Sequence, residues 1–394
     1  MRHNRLSWPG RQAPGLLNTK DCDMKNTDRK VPGQQSTLGR REFLKFGAGA
    51  GAVIGMNTSR AFAQERPAWD ARPANPASVR PISIDMHTHW APEAYTKAQV
   101  EMGRPAPANP YPLDFDLDKR VKWMDEHGVQ MHVLTLSGGM PWQWATPEQG
   151  ARLAQIVNDA AVEAHTAHPD RFVAGIAIPV RDPVMALKEL NRVAGKPGMR
   201  AAHLPNSIEQ HDYLFEPAFE PIFARCQELG YPLLFHPLDG EANFYSKRLV
   251  GPPSVTNWLG FTFEHATTAL KFITTGTLDK FPRLEIVLPH GGGAFPFIFA
   301  RIEHGFYHMG SVQLKTARPF KEYVRRFHYD YLNYYPEALR FLISEVGSDR
   351  IVIGTDLFAA KDIEYPNSFV EQLKLPAADL DRILRGNAKR LLHL

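Results

Sequence analysis

Short apolar runs alternate with longer amphipathic stretches from Pro81 to the C-terminus. Short apolar runs bounded by turn residues are typical of buried strands, whereas apolar residues spaced three or four apart are typical of helices. The pattern predicts eight strands, which are Ile82–Met86, Met131–Leu136, Phe172–Ile178, Met199–His203, Pro232–Phe235, Glu285–Leu288, His328–Leu332 and Arg350–Gly354.

Helical patterns lie between these strands. They cover Asp118–His127, Pro147–His165, Pro183–Val193, Glu216–Leu229, Ser254–Thr275, Ala294–His304, Pro336–Glu345 and Ala377–Leu392. Regular alternation of strands and helices predicts an α/β fold, and eight such units favour a TIM-like (β/α)8 barrel over residues 81–394. An open, doubly wound sheet is the alternative, because a single missed or extra strand would change the interpretation.

The first 63 residues differ in charge from the rest of the chain. They hold 11 basic and 4 acidic residues, a net charge of +7, and the remainder holds 35 basic and 38 acidic residues, a net charge of −3. Arg40 and Arg41, a short weakly apolar run and the small-residue site Ala61-Phe62-Ala63 predict a twin-arginine export signal over 1–63 and a periplasmic or secreted protein. The same residues also fit a disordered basic tail, or a chain whose translation starts at Met24.

Residues 64–80, rich in Pro, Ala and Arg, are predicted to form a linker. The rest of the chain excludes several function classes. The net negative charge that follows gives no basic surface for nucleic acid, and no apolar run is long enough for a membrane span. Of the two cysteines, Cys22 lies in the predicted signal, so we expect no disulfide within the mature protein.

Candidate metal ligands stand at the ends of three predicted strands. His87 and His89 follow the first, His236 follows the fifth, and Asp356 follows the eighth. The carboxyl ends of barrel strands meet on one face, which in such barrels holds the active site. Three imidazoles and a carboxylate are ligands that zinc and similar cations accept, and a bound water would have a pKa near about 7. A helix cap at Asp356 and a core histidine at His236 are the structural alternatives.

Another histidine, His290, precedes three consecutive glycines that would let the backbone approach a bound group closely. A neutral imidazole beside a metal-bound water can serve as general acid or base, so His290 and Asp356 are the candidate catalytic residues. Trp142 and Trp144 follow the second strand and could stack on a planar substrate, although ordinary loop packing would place aromatic residues there too.

These residues carry a resemblance to a known family. The stretch TLDKFPRLEIVLPHGGGAFPFIFARIEHGF, together with HTHWAPEAY, LLFHPLD and IVIGTD, resembles the aminocarboxymuconate-semialdehyde decarboxylase branch of the amidohydrolase superfamily, from about Ile82 to Leu392. The resemblance implies a distorted (β/α)8 barrel of the metal-dependent hydrolase type. It implies one divalent metal, zinc or alternatively manganese, held by His87, His89, His236 and Asp356, with His290 as acid/base.

The resemblance also implies a substrate contact and a homodimer, because Arg301 matches an arginine that binds a substrate carboxylate in the neighbouring subunit. A solvated helix charge is the structural alternative for Arg301. Three positions differ from the family's decarboxylases: Arg104 is out of register with a second arginine, Leu238 replaces a tryptophan, and GTDLFAA replaces a tyrosine-proline step. The family therefore does not fix the substrate.

The leading functional prediction is a metal-dependent, non-oxidative decarboxylase that acts on a small unsaturated or aromatic carboxylic acid. The alternative is a hydrolase of a lactone, ester or amide, or a hydratase, because the same parts can add water. A periplasmic binding protein on the same scaffold is a third candidate, which a complete metal and acid/base set disfavours.

Overall fold

The structure, a computed structural model, describes residues 71–107, 111–137, 139–209, 211–249, 255–309, 316–357 and 363–394. The predicted signal at 1–63 lies outside the described residues. Of the predicted linker, the described part contains one short 3-10 turn, Pro76–Ser78. None of the described helices combines the length and the hydropathy that crossing a lipid bilayer requires.

Eight parallel strands form one sheet in sequential order. They are β1 Ser83–His89, β2 Val129–Thr135, β3 Phe172–Ala177, β4 Met199–Pro205, β5 Leu233–His236, β6 Ile286–Leu288, β7 Phe327–Asp330 and β8 Ile351–Val352. Isolated bridges join Asp85 to Ile353 and Thr88 to Leu357, so the first strand meets the chain at the last one. The prediction of a barrel is confirmed, and the open sheet is excluded.

The helices lie between the strands and after the last one. They are α1 Glu93–Glu101, α2 Leu117–His127, α3 Pro147–Ala167, α4 Pro183–Val193, α5 Glu220–Leu229, α6 Phe261–Thr274, α7 Thr277–Lys280, α8 Phe295–His308, α9 Pro336–Val346, α10 Pro366–Glu371, α11 Ala377–Asp381 and α12 Asn387–Leu392. The sequence pattern missed α1, α7 and α10, which are short or weakly amphipathic.

Three predicted helices differ from the structure for local reasons. A π-turn at Thr256–Gly260 precedes α6, which begins at Phe261 and not at the predicted Ser254. Glu216 is extended, with ψ of 140°, and a 3-10 turn at Pro217–Phe219 follows it, so α5 begins only at Glu220. The predicted helix at Ala377–Leu392 is divided by a π-turn at Arg382–Gly386. Such turns locally widen a helix, and here the π-turn separates α11 from α12.

Side-chain caps set several helix starts where the sequence places acidic or hydroxyl residues. Asp116 accepts a hydrogen bond from the backbone N–H of Lys119 at 3.0 Å, and Thr146 forms a reciprocal capping box with Gln149 at the start of α3. Each cap satisfies a backbone N–H that has no partner within the helix. These caps fix where α2 and α3 leave the preceding loops.

The apolar core has two layers. A large cluster fills the space between strands and helices, and a smaller one inside the barrel contains Ile84, Met86, Met131, Val133, Val173, Ala201, Leu234, Val287 and Val352. Ala388, Leu391 and Leu392 of α12 belong to this inner cluster. The C-terminal helix therefore covers one end of the barrel interior, and the carboxyl ends of the strands form the opposite end.

Candidate metal centre and active site

Side chains from distant parts of the chain converge at the carboxyl ends of the strands. His87 lies in β1, His236 ends β5, His290 begins the turn after β6, and Asp356 follows β8. One nitrogen or carboxylate oxygen from each of these four residues lies within 4.8 Å of the others. All four are buried or nearly so, as a group that binds a single ion requires.

The fifth predicted site residue, His89, is beside this group. Its Nε2 lies 2.8 Å from Oδ1 of Asp356, and its ring centroid is 4.7 Å from that of His236. The structure thus brings together every residue that the sequence predicted as a metal ligand, and it adds His290 to the same place. Five groups are available, and four are enough for a zinc-type site.

Three buried imidazole nitrogens in this group have no hydrogen-bond partner among the described residues. They are His87 Nε2, His89 Nδ1 and His236 Nε2. A buried polar atom without a partner costs about 1–3 kcal/mol, so such atoms are rare unless a ligand or ion completes them. A cation coordinated by His87 Nε2 and His236 Nε2, which belong to the converging residues, would remove this cost for both atoms, and the residues present therefore fit a divalent metal.

The opposite nitrogens of two rings are held by the protein. His87 Nδ1 donates to Oδ2 of Asp330 at 2.7 Å, and His236 Nδ1 donates to the carbonyl of Pro237 at 2.8 Å. A proton fixed on Nδ1 leaves the Nε2 lone pair free, which is the usual arrangement of metal-binding histidines. The two rings are therefore oriented for coordination before any ion binds.

Asp330 is a functional residue that the sequence analysis missed. Besides His87, it accepts hydrogen bonds from the backbone N–H groups of His290 at 3.0 Å, Gly291 at 2.8 Å and Leu332 at 3.1 Å. It ends β7, and this position at the carboxyl end of a strand was the signal that could have identified it. A single buried carboxylate thus positions both a candidate ligand and the turn that carries His290.

The three glycines after His290 are required by the backbone conformation and the close packing of the turn. His290 has φ of 54°, and all three glycines also have positive φ. A Cβ at Gly293 would stand 2.3 Å from the carbonyl oxygen of Thr262, which is too close for any side chain. The turn therefore packs directly on the start of α6.

The backbone of Asp356 is also in the left-handed region, with φ of 56°. This conformation costs about 1–3 kcal/mol, and strain of this kind is found at functional sites.

Charge within the group is strongly coupled. Burial raises the pKa of Asp356, but the neighbouring histidines, His87 foremost, outweigh it and hold the pKa well below its ordinary value. Burial and the other histidines keep the pKa of His236 well below its usual range. Burial would lower the pKa of His87, but Asp356 and Asp330 raise it to about 10. At neutral pH these side chains by themselves therefore give an anionic Asp356, a neutral His236 and a protonated His87, and a bound cation would replace the proton on His87 Nε2.

A further buried residue braces His89. Arg120 is fully buried, and its guanidinium donates to the carbonyl of His89 at 2.9 Å, to Thr88 Oγ1 at 3.0 Å and to His132 Nδ1 at 2.9 Å. Burial lowers the pKa of Arg120 to about 9. Arg120 thus holds the end of β1 in place through its hydrogen bonds to Thr88 and His89.

A cleft of about 470 Å³ is lined by residues of the loops that follow several strands, including the loop after β5. Its lining residues are Arg104, Gln143, Trp144, Glu209, Asp239, Gly240, Glu241, Ala242 and Lys247. The guanidinium carbon of Arg104 lies 5.2 Å from the centroid of the Trp144 ring. Burial, and next the charge of Asp356, raise the pKa of Asp239. Asp239 follows His236 by three residues, so this part of the cleft lies just beyond the carboxyl end of β5. The cleft is therefore a candidate entrance to the site.

The two predicted aromatic residues have different surroundings. Trp144 lines the cleft, whereas Trp142 is fully buried in the core and is not among the residues that line it. The Trp142 ring comes within 3.3 Å of where a Cβ on Gly150 would stand, because the turn at Pro141–Gln143 directs it toward α3. Trp142 thus packs the loop. This burial agrees with ordinary loop packing, the alternative that the sequence left open, and the predicted contact of Trp142 with substrate stays a prediction.

Arg301 lies exposed on α8 and forms no hydrogen bond or ion pair with the described residues of its own chain. The structure therefore does not place it in the group formed by the five site residues. This position agrees with either alternative that the sequence left open, a solvated charge or a contact with a neighbouring subunit.

The wall formed by α6 contains a buried acid. The carboxylate of Glu264 accepts hydrogen bonds from Ser207 and from Asn243. Burial raises its pKa from 4.5 to about 8, so at neutral pH the folded protein keeps Glu264 mostly protonated.

Folding therefore makes Glu264 take up a proton between pH 4.5 and 8. We expect this group to stabilise the fold fully below pH 4.5 and to lose that contribution as pH rises through 8, by up to about 1.4 kcal/mol per pH unit. Urea unfolding at several pH values would measure the slope. Glu264→Gln should flatten it, whereas Glu163→Gln, at an exposed position of α3, should not. Equal slopes in both variants would contradict the prediction.

Comparison with known proteins gives consistent results. A family model described as amidohydrolase matches residues 84–394. The 2-amino-3-carboxymuconate-6-semialdehyde decarboxylase of Dictyostelium discoideum is 26% identical over 347 residues, which are 80% of this chain and 92% of that protein. The gamma-resorcylate decarboxylase of Rhizobium sp. (strain MTP-10005) is 31% identical over 299 residues, which are 70% of this chain and 87% of that protein.

A solved structure agrees with both the fold and the expected kind of cofactor. The dihydroxybenzoic acid decarboxylase from Polaromonas sp. JS666, solved with bound manganese and the inhibitor 2-nitroresorcinol, superposes with a TM-score of 0.68 and 27% sequence identity. The similarity covers 80% of this chain and 97% of that one.

Proposed function

Because the chain belongs to the amidohydrolase family, whose model matches most of its length, we propose that it is a metal-dependent, non-oxidative decarboxylase of an aromatic or unsaturated carboxylic acid. The observation that carries the proposal is the set of buried imidazole nitrogens without partners around Asp356, with a further histidine alongside. The similar proteins named above are all decarboxylases, and their names include aromatic acids.

We assign His87, His89, His236 and Asp356 as the ligands of one divalent cation. Three imidazoles and one carboxylate suit zinc, which is our choice, and manganese is the alternative because the Polaromonas relative binds it. When bound there, a divalent cation supplies Lewis-acid polarisation of a substrate oxygen. His290 stays free of the ion in this assignment, with its Nε2 3.5 Å from Oδ2 of Asp356.

Decarboxylation requires the protein to transfer one proton to the substrate carbon. When the bond between the ring or alkene carbon and the carboxylate breaks, its electron pair stays on that carbon, carbon dioxide leaves, and the carbon takes up a proton. His290 is placed to hold and deliver this proton, because its ring faces the centre from the turn that Asp330 fixes. The carboxylate of Asp356 lies 2.8 Å from Nε2 of His89 and supplies a negative charge beside the histidines.

The cleft suits a planar acid with polar substituents. Trp144 offers an aromatic face, and Arg104 above it offers a guanidinium that can pair with a carboxylate in two parallel hydrogen bonds. Glu209 and Lys247 line the same cleft and add charge of both signs. We propose Trp144 as a substrate contact.

We also propose that the protein is a homodimer in which Arg301 serves the partner's site. Support comes from exposed apolar side chains on α8, which carries Arg301, and just before α6: Trp258 at 65% exposure, Phe297 at 46% and Tyr307 at 55%. Trp258 precedes α6, and the other two lie on α8, which packs against α6. Large exposed apolar groups on adjacent elements are typical of protein–protein contacts.

Export by the twin-arginine route to the periplasm is a further proposal, which the paired arginines and the Ala61-Phe62-Ala63 site support. The route carries folded proteins, and this suits a protein that acquires its metal before export.

The test of the proposed function is a turnover screen of the zinc-loaded and the manganese-loaded protein. Hydroxybenzoates, including 2,6-dihydroxybenzoate, muconate derivatives and lactones would be supplied, and carbon dioxide and products would be quantified. We expect at least one acid to give carbon dioxide and its decarboxylated product in equal amounts. Turnover that consumes water and releases no carbon dioxide would establish a hydrolase or hydratase instead. Binding of metal and acid without any turnover would favour a binding protein.

A further inference from the structure

A buried acid on α6 connects two loops at the carboxyl ends of the strands. Glu264 is 2% exposed, and its carboxyl group is hydrogen-bonded to the hydroxyl of Ser207, which follows β4, and to Nδ2 of Asn243, at 2.5 Å, in the loop after β5. The backbone N–H of Phe244 donates to the same carboxyl. Ser207 and Asn243 are themselves fully buried. One side chain of α6 therefore joins the loop after β4 to the loop after β5.

The loop after β5, residues 237–249, forms one wall of the cleft. Residues 239–242 and Lys247 line the cleft, and Asn243 lies between them with its side chain turned to α6. Both ends of the Asn243 amide have partners, because its Oδ1 accepts a hydrogen bond from the N–H of Tyr245 at 2.9 Å. The wall of the cleft is therefore attached to α6 through a buried carboxyl group.

The surroundings of Glu264 resist its ionisation. Burial raises its pKa to about 8 against the hydrogen bond from Ser207, and the negative charge of Asp212 adds to the effect of burial. Asp212 is paired with Lys271 of α6. Tyr213 stays neutral, because burial, and next the charge of Glu264, raise its pKa well above its ordinary value. The loop after β5 faces the carboxyl with an amide. Glu264 is thus the group at this contact whose charge changes near pH 8.

We propose that Glu264 is a positioning residue that, in its neutral form, holds the loop after β5 and one wall of the cleft closed, and that releases the loop when it ionises. Water reaches the carboxyl group only when the loop moves away, and its pKa then returns toward 4.5. Opening therefore releases a proton from Glu264, and a rise in pH favours the open loop. The effect of the loop on substrate binding rests on the proposed function, whereas the pH-dependent opening does not.

Amide hydrogen exchange measures this opening without any substrate. Exchange of the zinc-loaded protein would be followed by mass spectrometry of a peptide that covers residues 239–249, and corrected for the intrinsic exchange rate at each pH. With a pKa of 4.5 in the open loop and about 8 in the closed one, we expect protection to fall by up to about 50-fold between pH 6 and pH 8 and then to level off.

Two variants serve as the comparison. Glu264→Gln has nearly the same shape, and its amide can accept from Asn243 and donate to Ser207, but it does not ionise in this range. Its protection should therefore be independent of pH. Glu163→Gln, at an exposed position of α3, is the matched control and should follow the wild-type protein.

Steady-state kinetics at pH 6 tests the consequence for the cleft. Glu264→Met removes the hydrogen bonds and leaves Ser207 and Asn243 without their partner. We expect it to raise the KM of the best acid about 10-fold and to change kcat less than about twofold, because a loosened wall weakens binding and Glu264 does not touch the metal ligands. Glu264→Gln should keep the wild-type KM.

Each result has a separate meaning. Protection of the wild-type loop that does not change between pH 6 and pH 8, or that changes equally in Glu264→Gln, would overturn the proposal, and this comparison does not depend on whether Glu264→Met folds. An unchanged KM in a folded Glu264→Met variant would overturn the part that concerns the cleft. If exchange agrees with the proposal and no acid releases carbon dioxide, the control of the loop by Glu264 stands and the proposed function fails.

Discussion

Replacing His290 with alanine is expected to leave the metal bound and to lower kcat about 10²- to 10⁴-fold, the range for removing a general acid or base. The reason is that His290 faces the centre while four other groups remain to hold the ion. Steady-state kinetics on the best acid, together with the metal content of the purified variant, would measure both parts. His211→Ala, at an exposed position outside the group of site residues, is the matched control and should keep full activity.

The converse result would be equally informative. His290 lies in the same set of converging atoms as His87, His236 and Asp356, and His89 is the residue that stands beside this set. If His290→Ala loses the metal together with turnover, His290 is a ligand. His89→Ala would then be expected to keep the metal and lose turnover, with the two roles exchanged.

The second large effect is expected at Asp356, whose replacement by alanine should weaken metal binding by at least about 100-fold, or about 3 kcal/mol. The carboxylate is the only anion among the proposed ligands, and without it His89 loses the carboxylate 2.8 Å away and His87 loses one of its two carboxylate neighbours. Competition for zinc with a chromophoric chelator would give the affinity, and turnover should fall with metal occupancy.

Backbone conformation matters for the choice of variant. Asp356 has φ of 56°, a region that asparagine tolerates better than alanine, so Asp356→Asn separates loss of charge from strain. We expect it to bind metal more weakly than the wild-type protein while unfolding at a similar temperature. Asp239→Asn, a carboxyl near the centre but outside the converging atoms, should keep the wild-type affinity. Unchanged affinity in Asp356→Asn would contradict the ligand assignment.

The arrangement of the barrel could be predicted from the sequence, because buried parallel strands are apolar and their surrounding helices are amphipathic. The ends of the elements were harder to predict. β1 was predicted to stop at Met86, yet it continues to His89, because a polar His-Thr-His triplet does not look like a buried strand. This polar part of the strand is nevertheless buried, and one ring nitrogen of each histidine has a partner far away in the sequence, Asp330 for His87 and Asp356 for His89.

The same reasoning explains which site residues were missed. His87, His236, His290 and Asp356 stand out because each follows an apolar run. Asp330 ends a strand without any motif around it, and Glu264 lies within a helix where an acidic side chain resembles a solvated charge. Their importance depends on a contact with a partner tens of residues away, Asp330 with His87 and Glu264 with Ser207, and a single sequence contains no record of such contacts.

The closure of the barrel couples the proposed cofactor to the integrity of the fold. β1 is joined to the chain beyond β8 by isolated bridges and by three backbone hydrogen bonds, and one of these runs from the N–H of Asp356 to the carbonyl of His87. His87 and Asp356, two proposed ligands, therefore lie on opposite sides of the junction at which the barrel closes. An ion bound by both residues would stabilise the junction at which the barrel closes. A chelator should therefore destabilise this junction first, and amide hydrogen exchange should accelerate there before it accelerates elsewhere in the sheet.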